Sequence, residues 1–313
     1  MTAIPDHEER PTDSGWWEDA LACPDCQADA RLAGGEVRCD GCSYRRPRGS
    51  PLDLRPHEPV PRRADVLPKG PALEGLTSLA AGRPRITYDG PRAERDSAEI
   101  FSPVTSQLQK GQAMLDLGCG PRDQAVVAEH LGLRYVGIDY ASPRADVLAD
   151  AHAIPFRADT FDVVLSYAVL EHLYNPFLAA GEVARVLRPG GLFIGTVSQG
   201  EPFHDSYFHH TTWGVLSVFS SAGLGVQRLW PSYDTLRSLS QMGRYPVAIR
   251  AGLRTLDWVH ESAPFLSPRK AMRWSESARR VDELHRAASI CFVAARPGGS
   301  RDSVRAGTAS PSS

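Results

Sequence analysis

The chain has 313 residues, 42% hydrophobic and 23% charged, with a formal net charge of −2 and a pI near 6.6, proportions ordinary for a soluble globular protein with room for one large domain and a small module. The balance offers no whole-protein basic field for nucleic acid, and no run approaches the ~18 consecutive apolar residues of a membrane span. The opening MTAIPDHEERPTDSGWWEDA lacks the apolar core of a secretory signal, so a reducing, cytoplasmic setting is expected.

Residues 1–20 read as a polar, acidic, disordered tail interrupted by Trp16-Trp17. Residues 21–56 form a cysteine module in which Cys23, Cys26, Cys39 and Cys42 are spaced as CxxC, twelve residues, CxxC. In a reducing compartment such paired motifs read as a tetrahedral Zn2+ site, with a hairpin around Gly34-Gly35 joining the two halves; free thiols or a redox pair are the alternatives. Four cysteines leave no open coordination position, so the metal would be structural. A Pro-, Arg- and Gly-rich linker covers 57–92.

A short helix is expected over 93–110, and a buried strand begins at Ala113. Strands and helices then alternate as in an α/β sheet. The pattern predicts a helix over 123–131, strands at 134–140, 161–170 and 191–198, and an amphipathic helix over 176–191 closed by Pro189-Gly190-Gly191. A helix at about 212–222 ends at Gly223, and GVQRLW and SICFVAAR (289–296) form a final pair of strands. The tail over 298–313 reads as disordered, and Cys119 and Cys291 as buried thiols. The segment 232–288 is too long for a hairpin loop. Leu236, Leu239, Leu253, Leu256, Trp258 and Val259 give it helix-like apolar spacing, so it reads as an insertion of two or three helices serving as a lid.

The most informative stretch is MLDLGCGPRD (114–123), a buried strand breaking into a turn at Gly118 and Gly120. A dinucleotide fingerprint needs glycine where Asp123 stands, and no Gly-Lys-Ser/Thr ending follows, so both phosphate readings are disfavoured. An acidic residue beside such a turn suits a cationic ligand. Asp139 closes the next strand, 19 residues beyond Gly120, where a carboxylate can accept the hydroxyls of a ribose.

With ADAHAIPF (149–156), FDVV (161–164), LEHL (170–173) and LRPGG (187–191) following in order, the sequence resembles the class I S-adenosylmethionine (AdoMet)-dependent methyltransferases, in particular their small-molecule branch. The resemblance runs from about Ala93 to Trp230 and returns at the last strand, within a domain taken as 93–297. It implies an α/β, Rossmann-like doubly wound sheet carrying the helical insertion, and AdoMet as cofactor. By motif it implies that Asp116, Gly118 and Gly120 lie against the methionine part, and that Asp139 holds the ribose. It also implies Asp150, with the Ala151 backbone, at the adenine amino group, and Ser166 and Tyr167 flanking the sulfonium and substrate entrance. Asp162 reads instead as a cap at its strand's start. Two departures stand out. Arg122 occupies the family's third glycine, where positive φ is less accessible. Only Ala141–Ala145 precede DVLA (146–149), too few for a crossover helix, so the third strand should be short.

Residues 21–56 resemble the small zinc-ribbon family that activates methyltransferases of tRNA and translation factors, here fused in cis. For an alcohol acceptor a general base is expected. The candidates are His172 in LEHL and the cluster His204, Asp205, Tyr207, His209 and His210 beyond the GLFIGTVS strand. The leading reading is methyl transfer to a small polar metabolite, an O-methylation of a sugar or secondary-metabolite hydroxyl. An anionic or glycosylated partner is suggested by ten Lys/Arg against six Asp/Glu in 232–288. Nine Lys/Arg against five Asp/Glu in 31–70 raise RNA methylation as an alternative. The third reading is a non-catalytic AdoMet-binding scaffold, which rests on Arg122.

Overall fold

The computed structural model describes residues 15–57, 77–85, 95–201, 205–232, 235–241, 245–262 and 276–298. An antiparallel three-stranded meander, β1 (Ala30–Ala33), β2 (Glu36–Cys39) and β3 (Arg45–Pro47), comes first, followed by a two-residue strand, β4 (Leu52–Asp53). The body of the protein is one eight-stranded sheet. Its remaining strands are β5 (Ala113–Leu117), β6 (Arg134–Asp139), β7 (Val147–Leu148), β8 (Phe161–Tyr167), β9 (Leu187–Ser198), β10 (Gly225–Pro231) and β11 (Ser289–Ala295). Their order is β10-β11-β9-β8-β5-β6-β7-β4. Strand β11 pairs antiparallel with both neighbours, and the other pairings are parallel. This is the Rossmann-like doubly wound arrangement. The chain leaves β5 for β6 on one side and returns to β8 on the other, so the carboxyl ends of β5 and β8 flank the topological switch point.

Strand period two sorts the side chains between two cores. Leu115, Leu117, Val164, Phe193 and Phe292 face one layer, and Met114, Val163, Leu165, Ile194 and Val293 the other. Helices α1 (Arg95–Phe101) and α2 (Asp123–His130) cover the second layer. Helices α3 (Pro176–Val186) and α4 (Thr212–Ser221) cover the first. There Phe193, Phe219 and Phe292 form a triangle of edge contacts with centroids 4.7–5.1 Å apart. The insertion is helical, as its spacing predicts: α5 (Thr235–Gln241), α6 (Val247–Ser262) and α7 (Glu276–Arg286). Leu284 of α7 is fully buried, whereas Leu256 and Trp258 of α6 are exposed.

The structure differs from the sequence reading in several places. The helix expected over 93–110 ends at Phe101, and the strand expected over 161–170 ends at Tyr167, with Leu170 in a 3-10 turn. Residues 16–20 are not tail: Trp16–Ala20 is a 3-10 turn, with Trp16 edge-on to Phe161 and Trp17 edge-on to Phe156. The cysteine segment is not a separate bead either, since β4 extends the main sheet by pairing with β7. Within the expected linker, Ala80 bridges to Leu229. Finally, β9 begins at Leu187 and α3 ends at Val186. Pro189-Gly190-Gly191 lies in the strand at a register shift, Gly190 at φ 83°, where a bulge tolerates both residue types.

Candidate functional site

The turn after β5 is locked onto β6. The Gly118 and Cys119 amides both donate to the Ile138 carbonyl, at 2.8 and 2.9 Å. Gly118 has φ +74°, and a Cβ there would stand 2.5 Å from the Val169 side chain, so only glycine fits. Asp139, partly exposed at the end of β6, accepts from the Gly120 amide (3.0 Å) on one oxygen and from Ala141 and Ser142 (2.9 and 2.8 Å) on the other. A carboxylate has about four acceptor positions. Three are taken by backbone, two on Oδ1 and one on Oδ2, so Oδ2 is the oxygen with most room for a further donor.

Arg122 adopts the left-handed conformation, φ 70° and ψ 27°, that its position demands. The strain of a non-glycine residue there, on the order of 1 kcal/mol, is offset by the side chain. Its guanidinium pairs with Asp146 and lies 4.8 Å from the Tyr135 ring centroid. The departure from glycine therefore leaves the turn's conformation available.

Beneath the turn, Asp116 is fully buried. Tyr135 donates its hydroxyl to Oδ2 at 2.7 Å, and Oδ1 has no hydrogen-bond partner. Burial pushes the carboxyl up to about 7, against the pull of the Tyr135 hydrogen bond and of Arg122. A buried carboxylate oxygen without a donor is costly unless something cationic completes it.

Asp150 follows β7 and stands beside Asp139, because the Ala149 amide donates to the Asp139 carbonyl at 2.9 Å. Burial works against its charge, but bonds from His152 outweigh it, and its pKa falls below the usual carboxylate value. Ala151 is buried next to it. At the end of β8, Ser166 is fully buried with its hydroxyl oxygen unpartnered, and Tyr167 is 40% exposed.

The histidines separate clearly. His172 and His209 are exposed, and His204 lies outside the described residues. His210 is buried, its amide donating to the Ser198 carbonyl at 2.8 Å and its Nε2 unpartnered. Burial holds its pKa below the ordinary value, a contact with the Leu170 backbone opposes that, and neighbouring His209 adds to it. In LEHL the buried residue is Glu171, which sequence reasoning passed over for His172. Its carboxylate accepts from the Ser198 amide, and its carbonyl from the Tyr207 and Phe208 amides, so it fastens the segment carrying His210 to β9. Gln199 ties the same strand end to the insertion by donating to the Leu284 and Ala287 carbonyls.

The four cysteine sulfurs lie within 4.8 Å of one another. Cys23 and Cys42 are 3.6 Å apart and Cys26 and Cys39 3.5 Å, with the Gly41 amide donating to the Cys39 sulfur. Thiolates arranged tetrahedrally at ~2.3 Å from a zinc ion would be roughly 3.8 Å apart, so the set fits such an ion.

Residues 115–195 match the family described as a methyltransferase domain. An uncharacterized methyltransferase of Mycobacterium sp. (strain JLS) is 33% identical over 108 residues, 31% of this chain and 43% of that protein. An uncharacterized 37.1 kDa protein in transposon TN4556 of Streptomyces fradiae is 30% identical over 154 residues, 43% of this chain and 44% of that protein. The chain thus matches less than half the length of these curated relatives. Among solved structures, an S-adenosylmethionine-dependent methyltransferase from Mesorhizobium loti is similar with a TM-score of 0.39 at 16% identity, over 63% of this chain and 97% of that one. Among the described residues, no helix is long and apolar enough to cross a membrane.

The buried acid generates a pH prediction. Because the folded pKa of Asp116 lies above its unfolded value, the folded state holds a proton that the unfolded chain has released between about pH 4 and pH 7. Stability associated with this group is present at low pH and lost as pH rises through 7. Asp116→Asn should therefore resist urea better than wild type at pH 8, by on the order of 2–4 kcal/mol, and lose that advantage at pH 4. Equal stability at pH 8 would contradict the unpaired buried charge.

Proposed function

We propose that this chain is an AdoMet-dependent methyltransferase acting on a small polar metabolite, by O-methylation of a sugar or secondary-metabolite hydroxyl. The observation that carries the reading is the convergence of Asp116, the Gly118–Gly120 turn, Asp139 and Asp150 at the carboxyl edge of the sheet, within and beside the stretch matching a methyltransferase domain. The three carboxylate acceptors suit the cofactor's three polar parts. Asp116 Oδ1 would meet the methionine ammonium, Asp139 a ribose hydroxyl and Asp150 the adenine amine, with the Ala151 backbone alongside.

When bound, AdoMet supplies a methyl group already activated by the sulfonium. The chain's own residues must then align the acceptor oxygen, exclude water and take its proton. Ser166 and Tyr167 end β8 at the switch point, where they would border the acceptor. Among the candidate histidines His210 is the one buried at the end of β9, and it is assigned as the base: burial lowers its pKa, and Nε2, shielded from solvent and without a partner, would take the hydroxyl proton once a shift of its cover lets the acceptor reach it. Exposed His172 and His209 fit that role less well. The insertion would act as a lid, tied to the site through Gln199, and its excess of basic residues favours an anionic or glycosylated acceptor.

For the RNA alternative, four of the nine basic residues it rests on, Arg31, Arg38, Arg48 and Arg55, each hold a carboxylate partner at the surface, in pairs weak enough to open for a phosphate. Arg122 takes up the turn conformation that glycine would, which supports cofactor binding under the enzyme and the scaffold readings alike, and label transfer separates the two.

Cys23, Cys26, Cys39 and Cys42 would hold one structural Zn2+. Elemental analysis of protein purified without chelator should find about one zinc per chain, and none would refute the site. For the reaction, protein incubated with methyl-labelled AdoMet and fractionated polar metabolites should transfer label to an acceptor. His210→Ala should lower kcat by roughly 10²–10⁴-fold with AdoMet affinity unchanged, and the acid limb of the wild-type profile should lie below the usual histidine value. Full activity in His210→Ala would remove the base, and no labelled product from any fraction would refute the enzyme.

A further inference from the structure

His152 was not among the residues singled out from sequence, yet it is 4% exposed and fully engaged. Its amide donates to Asp150 Oδ1 at 2.9 Å, and its Nδ1 lies 2.6 Å from the same oxygen. Its Nε2 lies 3.3 Å from the Asn175 amide. A backbone N–H can only donate, so Nε2 must be the acceptor. Nδ1 therefore carries the proton and donates it to Asp150. The ring is stacked on Tyr174 with centroids 4.0 Å apart and planes 25° from parallel. One residue thus places two hydrogen bonds on a single oxygen of the neighbouring carboxylate, and its own ring is held by stacking and by the helix cap at Asn175.

We propose that His152 is a positioning residue that makes the cofactor site selective for an amino-bearing purine. The proposal rests on the reading of Asp150 as the acceptor of the adenine amine. With Oδ1 committed to His152, the carboxylate cannot rotate about its Cβ–Cγ bond, and Oδ2 remains for the ligand. A carboxylate held in this way is ready to accept from an exocyclic amine. It is equally unable to turn away from a purine that presents a carbonyl oxygen at the same place. A fixed acceptor rewards the amine and penalises the oxo base, whereas a mobile one does each less well.

Calorimetric titration of the full-length protein with S-adenosylhomocysteine and S-inosylhomocysteine tests this, since the two ligands differ only in the exchange of the C6 amine for a carbonyl and the proton that N1 gains with it. Wild type should prefer the adenosyl ligand by on the order of 10–100-fold. His152→Phe, which keeps the stack on Tyr174 and lacks both nitrogens, should lose roughly tenfold of that preference. His152→Asn, whose amide nitrogen can stand where Nδ1 does, should recover most of it. His152→Gln serves in place of the Phe variant should that one not fold, because its amide extends past the Nδ1 position. A purely structural role would weaken both ligands together and leave their ratio unchanged, which would overturn the proposal. Asp150→Asn separates the two layers of the argument: if it keeps the wild-type ratio, the assignment of Asp150 is wrong, whereas if it abolishes the ratio and His152→Phe does not, the positioning role alone fails.

Discussion

The rim of this sheet depends on a strand of two residues. Val147 and Leu148 pair on one side with Ile138 and Asp139, and on the other with Leu52 and Asp53. The five residues from Ala141 to Ala145 are too few to build the helix that would ordinarily cover such a strand, and two residues form little sheet alone. Its outer edge would be an open row of amides and carbonyls. The cysteine module closes it: the Leu52 amide donates to Asp146 and the Leu54 amide to Leu148, at 3.1 and 2.8 Å. Leu52, Leu54, Val37 and Tyr44 are buried in the same core as Val147, Phe156 and Phe161. The N-terminal module and the sheet therefore share one hydrophobic interior, and the order of β7 rests on both.

That strand carries the chemistry at its ends. Asp146 precedes it and neutralises Arg122; Asp150 follows it and is held by His152; and the Ala149 amide bonds it to Asp139. The carboxylates at this edge are not equivalent. Asp139 is almost saturated by backbone amides, whereas Asp116 is buried with an oxygen to spare. The first is built to hold the glycine turn as well as a ligand, and the second is left unstable in isolation. A site that concentrates acid in this way sacrifices stability for affinity toward a cation.

What the sequence revealed follows from which forces are local. Near-continuous apolar runs, bounded by Gly118 and Gly120 or by Gly223, located the central strands of the sheet to within about four residues, because burial on both faces demands such runs. The acids at strand ends were visible for the same reason. Arg122 misled because a positive φ was judged from residue type, while ion pairing with Asp146 and stacking on Tyr135 offset its strain. In LEHL the choice between Glu171 and His172 depended on which face of a 3-10 turn met β9, and that face is fixed by residues far along the chain. Trp16 and Trp17 were read as part of a tail and β4 as part of the cysteine module, since nothing local to them records the partners they find at Phe156, Phe161 and β7. His152 was hidden in the same way: its partners Tyr174 and Asn175 lie beyond a whole strand.

The central claim is that one ligand engages the turn after β5, the end of β6 and the short strand β7 together. Amide hydrogen exchange, read with and without saturating S-adenosylhomocysteine, tests it most directly. The account predicts slowed exchange in 118–122, 139–142 and 147–152, with the protection carried into 52–55 through the pairing of β4 with β7. Protection confined to other parts of the chain, or none at all, would contradict it.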